Sequence, residues 1–244
     1  MKLFLKILLF IFIILFAIGC IFLYNGYSTY KKAIEETSLA DKIAEVKSDE
    51  DYVSIDEVPE YYRNAVIAVE DHRFESHNGI DIIGICRAIF TNIKEWEFIE
   101  GGSTITQQVA KNLYFIYEDN VINRKIAEIF VAFDLENNYS KNDILELYIN
   151  TIYFGDGYYG IKEACEGYID KEPKDMTLAD ATMMAGIPNA PSVYAPTVNP
   201  DLTLSRQKKV ISSMVEYNYL SQEEADKLIE EIENLYKTTS SLLF

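Results

Sequence analysis

Residues 59–81 read PEYYRNAVIAVEDHRFESHNGID, and the helical pattern of the chain is clearest in this stretch. Pro59 suits the first turn of a helix, because proline needs no backbone N–H there. The apolar residues that follow recur at the spacing of one helix face: Tyr62, Ala65, Val66 and Val69. This helix is predicted to end at Glu70, and Asp81 can cap the next one.

Helix start signals of one kind recur through the rest of the chain. Each is a Ser or Thr followed three residues later by an acid or glutamine, the spacing of a capping box. The pairs are Thr104 with Gln107, Ser140 with Asp143, Thr177 with Asp180, and Ser221 with Glu224. Glycines at 155, 157 and 160 mark a loop, and no alternating strand series is visible. We therefore predict an all-α or nearly all-α domain over residues 56–244.

The N-terminus carries an uncharged apolar run from Ile7 to Tyr24. Eighteen such residues approach the length of a bilayer-spanning helix. We therefore predict a single transmembrane signal-anchor over residues 1–24 and a polar stalk over residues 25–55. A cleaved signal peptide and lipid attachment at Cys20 are the alternatives, and each of the three places the domain at the outer face of a membrane.

Composition excludes several classes of function. The formal charge of −17 argues against a nucleic-acid binder, so an anionic substrate requires a local basic cluster. Three cysteines make no disulfide framework, and with two histidines no Cys/His zinc spacing can be drawn. Cys86 and Cys165 are interpreted as small buried residues.

Two adjacent carboxylates, Glu70 and Asp71, follow the small apolar residues of the first helix. Apolar surroundings raise the proton affinity of a carboxylate, as a general base near neutral pH requires. The alternative, that both residues merely end a surface helix, stays open for this stretch taken alone.

Two further stretches carry polar groups at helical spacing. Residues 101–112 read GGSTITQQVAKN, in which Thr104, Gln108 and Lys111 share a helix face. A helix N-terminus after glycines also attracts anions. Residues 124–128 read RKIAE and place two cations beside a carboxylate. Taken alone, these stretches also fit an ordinary amphipathic helix and a surface ion pair.

Together these stretches resemble the family 51 glycosyltransferases, the transglycosylase domains of bifunctional penicillin-binding proteins and their monofunctional relatives. The matches are ED-x-x-F-x-x-H-x-G-x-D at 70–81, G-G-S-T-x-T-Q-Q-x-x-K-N at 101–112, R-K-x-x-E at 124–128, ELYIN at 146–150 and AGIPNAPS at 185–192. They keep the family's order and spacing from about residue 58 to 200. Asn189 replaces a common glutamine, and Ile169 and Asp170 replace Phe-Gly; neither departure touches the implied catalytic set.

The resemblance implies a lysozyme-like helical fold and polymerisation of lipid II into β-1,4-linked glycan strands, with inversion and release of polyprenyl pyrophosphate. Glu70 matches the general base. Glu128 matches the second essential glutamate and, beside two cations, is expected to stay ionised and to organise them. The other positions are implied to bind substrate: Asp71, Phe74, His77, Arg87, Ser103, Thr104, Gln107, Gln108, Lys111, Asn112, Arg124 and Lys125. Of these, Lys111, Arg124 and Lys125 would hold the leaving pyrophosphate, and Ser103 has a cap as its alternative role.

The resemblance also implies cofactors and partners. Mg²⁺ or Mn²⁺ is expected to assist, with Glu128 as an optional ligand, although the spacing demands no metal. The expected partners are lipid II, the growing glycan strand and membrane lipid, with transpeptidases and other wall-synthesis proteins as further candidates. Moenomycin is the expected inhibitor, and nucleic acid is excluded. The expected location is the cell membrane, with one span and the catalytic domain outside.

Two segments outside the motifs also support predictions. Residues 90–99 place Trp96 among apolar residues and charges, a composition typical of a membrane interface, with core packing as the alternative. We expect residues 96–102 to be mobile. Ser205 to Lys208 fits S-x-x-K, but without the companion motifs of a serine transpeptidase, so we predict a monofunctional enzyme.

Two rival hypotheses remain at this point. A lysozyme-type hydrolase also needs a glutamate, as an acid, but has no use for the three cations. A scaffold without catalysis would recruit wall-building partners and need no intact motif set.

Overall fold

The computed structural model describes residues 2–96 and 101–242. Helices dominate these two ranges, which confirms the predicted all-α class. The helices are α1 (Lys2–Glu36), α2 (Leu39–Lys47), α3 (Glu60–Glu70), α4 (Ile82–Glu95), α5 (Ile105–Tyr114), α6 (Val121–Asn138), α7 (Lys141–Thr151), α8 (Gly160–Ile169), α9 (Leu178–Gly186), α10 (Pro191–Tyr194), α11 (Pro200–Glu216) and α12 (Gln222–Leu242). Single 3-10 turns cover Ile55–Glu57, Phe74–Ser76, Pro173–Asp175 and Ile187–Asn189.

The predicted helix starts are confirmed at the level of side-chain caps. Asp81 accepts from the N–H of Ile83 at the start of α4. Both halves of the capping box are present at α5, α7 and α9. Each box satisfies N–H groups that have no partner inside the helix, so the residues that signal a start are also the ones that stabilise it.

The core is one apolar cluster enclosed by α3, α5, α7, α9 and α11. Its largest fully buried side chains include Tyr62, Tyr148 and Phe154. A smaller cluster joins α11 to α12. The main core surrounds the end of α3, where Glu70 lies, and so fixes the backbone from which that side chain projects.

Residues 153–169, predicted as a loop in their first part, contain regular structure. Strands β1 (Tyr153–Gly155) and β2 (Tyr158–Tyr159) form an antiparallel hairpin that leads directly into α8. Gly160 begins α8 with a φ of +79°, and a Cβ there would lie 3.0 Å from the carbonyl oxygen of Asn150. Glycine is therefore required by the close approach of α7 and not only by a flexible turn.

The predicted stalk over residues 25–55 is not a free linker. The second half of α1 packs along α6, and Tyr30 donates to Asp134 at 2.7 Å. Further along, Ile43, Val53 and Ile55 are buried in the main core. The prediction is wrong here because this segment, although mostly polar in sequence, contains a few apolar residues that pack into the core of the domain.

The N-terminal half of α1 is long and apolar enough to cross a membrane. No residue of its most apolar window is buried against the rest of the protein. In water this exposed apolar surface would be unfavourable, so it requires an apolar environment. The helix runs unbroken from this half into the half that packs on α6.

A second exposed apolar surface lies on α4. Its exposed side chains include Ile83, Phe90 and Ile93, and Trp96 just after the helix is 92% exposed. This excludes core packing for Trp96. Residues 97–100, at the centre of the segment predicted to be mobile, lie outside the described residues. Cys86 is exposed on α4, contrary to prediction, whereas Cys165 is buried as predicted.

The fourth motif, ELYIN, fastens the segment before α3 to α7. Glu146 accepts from the N–H of Ile55 at 2.8 Å and from the hydroxyl of Tyr52. Asn150 accepts from the N–H of Val53 and donates to its carbonyl, both at 2.8 Å. Because Val53 and Ile55 are buried, these side chains replace the water that their backbone would otherwise bind.

We expect Asn150→Ala to lower the free energy of unfolding by about 1–3 kcal/mol, because it leaves the buried N–H and C=O of Val53 without partners. Denaturation of the full chain in detergent micelles measures this loss. The control is Asn142→Ala, an exposed position on the same helix. Equal stability of the two variants would contradict the role assigned to Asn150.

Candidate active site

The carboxylate of Glu70 lies at the C-terminal end of α3, and its side chain is 9% exposed. Its Oε2 accepts from Nε2 of Gln108 on α5 at 2.9 Å. Its Oε1 lies 3.5 Å from Nη2 of Arg206 on α11. Three helices thus converge on one carboxylate, whose Oε2 accepts a hydrogen bond and whose Oε1 has only an ionic contact among the described residues.

Burial raises the pKa of Glu70 above the ordinary value of a glutamate. The hydrogen bond from Gln108 and the charge of Arg206 oppose this by stabilising the carboxylate, and Asp71 adds to the increase. Desolvation is the largest of these effects, so the group takes up a proton more readily than a glutamate in water. This is the property that the sequence predicted for a general base.

Arg206 was missed by the sequence analysis. It lies 136 positions after Glu70 in the chain, inside the segment that was considered only as an S-x-x-K match. Its guanidinium also donates to the carbonyl of Gly186 at 3.3 Å and lies over the ring of Tyr194. A lone arginine on an amphipathic helix carries no spacing signal, so only the fold could bring it to Glu70.

The carboxylate of Asp71, predicted to support Glu70 and to bind substrate, is 4% exposed and contacts two groups of the protein. Its Oδ2 accepts from the N–H of Ile105 at 3.0 Å and contacts Nε2 of His77 at 2.8 Å. The anion that the start of α5 attracts is therefore a carboxylate of the protein itself. Asp71 positions α5 against α3, and through α5 it positions Gln108 against Glu70.

Four other predicted substrate-binding residues also serve the framework. Phe74 has no exposed surface, and the side chain of His77 is 4% exposed and bonded to Asp71. Thr104 and Gln107 form the capping box of α5, and the hydroxyl of Thr104 also donates to the carbonyl of Gly79 at 2.7 Å. Nδ1 of His77 nevertheless has no hydrogen-bond partner among the described residues, and Thr104 also lines a surface pocket beside Glu70. Substrate contact by these four residues therefore stays a prediction beside their structural roles.

The predicted cations gather on α5 and α6 around Glu128, which has no exposed surface. Lys125 donates to Glu128 at 2.5 Å, and Nε of Arg124 lies 3.4 Å from its other oxygen. Lys125 also donates to the hydroxyl of Ser103 at 3.0 Å. Lys111 completes the group from α5. Within this group three cations face one carboxylate, so positive charge is in excess.

The pKa of Lys111 reflects the same excess of positive charge. Burial lowers its pKa below the ordinary value of a lysine, Arg124 and Lys125 lower it further, and Glu128 opposes them. A cation held beside two others gains from any anion that arrives. The cluster is thus suited to bind a phosphate or pyrophosphate group, in a chain whose net charge is −17.

Ser103 connects the carboxylate to the cations. A surface pocket beside Glu70 is lined by residues from three segments: Glu70 to His72, Asp81, Gly84, Arg87 and Gly101 to Thr104. Ser103 lines this pocket and also bonds Lys125. A ligand in the pocket would therefore meet the carboxylate of Glu70, and Ser103 would stand between it and Lys125 of the cation cluster.

The remaining predicted residues lie at the edge of this arrangement. Arg87 reaches the pocket and donates to Nε2 of His72 at 2.8 Å. The ring of His72 stacks on Tyr217, with centroids 4.1 Å apart. Nδ2 of Asn112, beside Lys111, is buried without a hydrogen-bond partner in the part of the chain that the structure describes. An unpaired buried amide is available to a ligand.

A divalent ion does not fit Glu128 well. Both of its oxygens already face cationic side chains. No group of three His, Cys, Asp or Glu side chains suited to a metal occurs among residues 2–96 and 101–242. Mg²⁺ prefers several oxygen ligands, and this donor set does not supply them. Assistance by Mg²⁺ or Mn²⁺ stays a prediction, for which residues 2–96 and 101–242 supply no such group of ligands.

Comparison with known proteins gives concordant matches. The family model "Transglycosylase" matches residues 36–215. Penicillin-binding protein 1F of Bacillus subtilis is 45% identical over 173 residues, which cover 71% of this chain and 24% of that protein. Penicillin-binding protein 1A of Neisseria lactamica is 43% identical over 181 residues, covering 74% of this chain and 23% of that protein.

The chain thus spans about a quarter of the length of these curated relatives. The crystal structure of penicillin-binding protein 1A from Haemophilus influenzae at 2.6 Å resolution aligns over 74% of this chain and 17% of that one. Its TM-score is 0.45 at 23% identity, a likeness too weak to add to the sequence matches. The family model covers about three quarters of the chain, including all five motifs and every residue of the site. The chain therefore belongs to the transglycosylase family.

Proposed function

We propose that this protein is a peptidoglycan glycosyltransferase, which polymerises a lipid-linked disaccharide, lipid II, into β-1,4-linked glycan strands. One observation carries the proposal. A buried carboxylate with a raised pKa, Glu70, lines a pocket whose residue Ser103 accepts a hydrogen bond from Lys125, one of a cluster of three cations. A base at one end and an anion site at the other are what a sugar transfer from a diphosphate donor requires.

In the proposed reaction, Glu70 takes the proton from the 4-hydroxyl of the acceptor sugar. The hydroxyl oxygen attacks the anomeric carbon of the growing strand from the side opposite the pyrophosphate. The bond between the anomeric carbon and the pyrophosphate oxygen breaks, and its electron pair leaves with the diphosphate. The new bond has the inverted configuration, and the proton rests on Glu70. Gln108 and Arg206 hold the two carboxylate oxygens in place for this step.

The leaving diphosphate gains negative charge as the bond breaks, and Lys111, Arg124 and Lys125 are placed to stabilise it. Glu128 holds Arg124 and Lys125 in position and partly neutralises them in the absence of a ligand. The unpaired amide of Asn112 and the guanidinium of Arg87 are further candidates for contacts to sugar or phosphate.

The apolar half of α1 supports a membrane anchor, and the exposed apolar face of α4 supports a second contact with lipid. We infer that the domain lies at the outer face of the cell membrane, where its lipid-linked substrate and the growing strand are also held. Transpeptidases and other wall-synthesis proteins remain candidate partners.

The site argues against the rival hydrolase. A glycoside hydrolase protonates a sugar oxygen as its leaving group and has no diphosphate to stabilise. Three cations around one buried glutamate would then have no substrate charge to meet. The raised pKa of Glu70 alone suits either an acid or a base, so the cation cluster decides in favour of the transferase.

The full chain in detergent micelles is expected to convert lipid II with Mg²⁺ into glycan polymer, and moenomycin is expected to stop it. Product is measured by gel electrophoresis of labelled strands. Cleavage of finished glycan without polymer formation would support the hydrolase. No reaction with either substrate would support the scaffold.

Replacing Glu70 by Gln removes the base but keeps the shape of the side chain. We expect kcat to fall by about 10²–10⁴-fold, the usual contribution of general-base catalysis. Glu60→Gln, an exposed position at the other end of α3, is the matched control and should keep full activity. An active and normally folded Glu70→Gln enzyme would exclude Glu70 as the base.

The pH profile of kcat/KM reports the pKa of the base in the free enzyme. A base works only when deprotonated, so activity should rise with pH through the pKa of Glu70. Since burial raises that pKa, the rise should lie above the ordinary glutamate value of about 4.3. Arg206→Gln removes a cation that lowers the pKa of Glu70, so the rise should move to higher pH.

Lys209→Gln, an exposed position on the same helix, removes the same charge and should leave the profile unchanged. A profile of Arg206→Gln that coincides with that of Lys209→Gln would rule out the proposed effect of Arg206 on Glu70.

A further inference from the structure

The anchor helix α1 and the cation-bearing helix α6 run parallel in a defined register. Gly26 lies against Ile126, and four residues further along α1 the ring of Tyr30 packs on Phe130 with centroids 5.4 Å apart. Tyr30 also donates to Asp134, one turn beyond Phe130. Contacts therefore advance along both helices together and in the same direction.

This register relates each level of α6 to a level of the anchor. Both helices rise by about 1.5 Å per residue, so equal steps along them cover equal distances. Two residues before the contact of Gly26 with Ile126, Tyr24 ends the apolar run of α1. At the same level on α6 lie Arg124 and Lys125. The cations of the site are thus at the height where the anchor changes from apolar to polar residues.

Four exposed apolar residues lie just below that height, next to the acids Glu118 and Asp119. They lie in the turn between α5 and α6 and in the first turn of α6: Ile116, Tyr117, Val121 and Ile122. Tyr117 is 94% exposed. Exposure of these four side chains to water is unfavourable. Because they lie beside the apolar half of α1, the environment that suits them is the bilayer.

Gly26 makes the close approach of the two helices possible. It is buried, and a Cβ at this position would lie 2.4 Å from both Cβ and Cγ2 of Ile126. That distance is below any real contact, so a side chain at Gly26 must separate the helices. Gly19, about two turns earlier in α1, has no atom within 4 Å of the same position and offers a matched comparison.

The contact lies on the back of α6, away from the site. At about 100° per residue, Ile126, Phe130 and Asp134 centre on a direction roughly 165° from that of Arg124, Lys125 and Glu128. Buried Ala127, Val131 and Leu135 hold α6 in the core. A side chain at Gly26 should therefore displace the anchor and leave the cation cluster intact.

We propose that the contact of Gly26 with Ile126 sets the height of the domain over the membrane, so that Arg124 and Lys125 lie at the bilayer surface. The apolar turn around Tyr117 is then immersed in the outer edge of the bilayer. The inference rests on the proposed function in one respect: at this height the cations meet the diphosphate of a substrate whose polyprenyl chain is in the bilayer.

The height is measured by fluorescence depth in phosphatidylglycerol vesicles that hold the full chain. Trp96 is the only tryptophan of the sequence, so Trp96→Phe with Tyr117→Trp leaves one indole in the apolar turn. We expect bromine atoms on the lipid acyl chains to quench its emission. Quenching only by iodide in the water phase would overturn the proposal.

The role of Gly26 is tested in the same background. Gly26→Val should change the acyl-chain quenching of the indole by about twofold or more, whereas Gly19→Val should leave it unchanged. Adding Ile126→Gly to Gly26→Val moves the side chain from one helix to the other and should restore the original quenching. Identical quenching in the Gly26→Val and Gly19→Val proteins would overturn the role of Gly26.

Activity provides an independent readout. For lipid II in bilayers, Gly26→Val should lower kcat/KM by about tenfold or more relative to Gly19→Val, because small misplacements of reacting groups are costly. The affinity of the Gly26→Val protein for water-soluble farnesyl pyrophosphate should be unchanged, since the cation cluster is intact. An equal loss of that affinity would overturn the proposal. If the unaltered protein does not polymerise lipid II, the proposed function fails, while the quenching results still decide the height.

Discussion

The hydrogen bond from the N–H of Ile105 to the carboxylate of Asp71 joins the two halves of the site. It draws the start of α5 to the end of α3, which sets Gln108 against Glu70 and Ser103 beside the pocket. Two adjacent acids thereby take opposite roles. The carboxylate of Asp71 binds the N-terminus of α5, where N–H groups lack partners inside the helix. The carboxylate of Glu70 lies at the edge of the pocket and has a raised pKa.

The electrostatics of the site run against those of the whole chain. An acidic protein concentrates three cations on the facing sides of α5 and α6, and a fully buried Glu128 keeps them together. Without that carboxylate, mutual repulsion would spread the cations apart or favour loss of a proton from Lys111. With it, Arg124 and Lys125 stay close together, and three cations still face only one carboxylate. Glu128 thus contributes through the arrangement of its neighbours.

Much of the fold could be predicted from the sequence because capping residues act locally. Asp81 and the boxes at Thr104, Ser140 and Thr177 begin helices where the sequence indicates. The site was predicted less evenly. A motif contains residues that shape a site and residues that touch its ligand, and spacing does not separate the two. Phe74, for example, has no exposed surface, and His77 is bonded to Asp71. Arg206 reaches Glu70 only through the packing of α11 on α3, a long-range contact without a local signal.

The attachment of residues 52–55 to α7 also governs the order in which the domain can form. The bonds from Val53 to Asn150 and from Ile55 to Glu146 join positions 97 and 91 residues apart. The partners of this early segment leave the ribosome only after α3 to α6 have been made. Until then Ile43, Val53 and Ile55 expose apolar surface, close to the anchor that precedes them. Residues 52–55 therefore cannot pack until nearly a hundred later residues have been synthesised. This N-terminal segment joins the domain after the helices in the middle of the chain have been made.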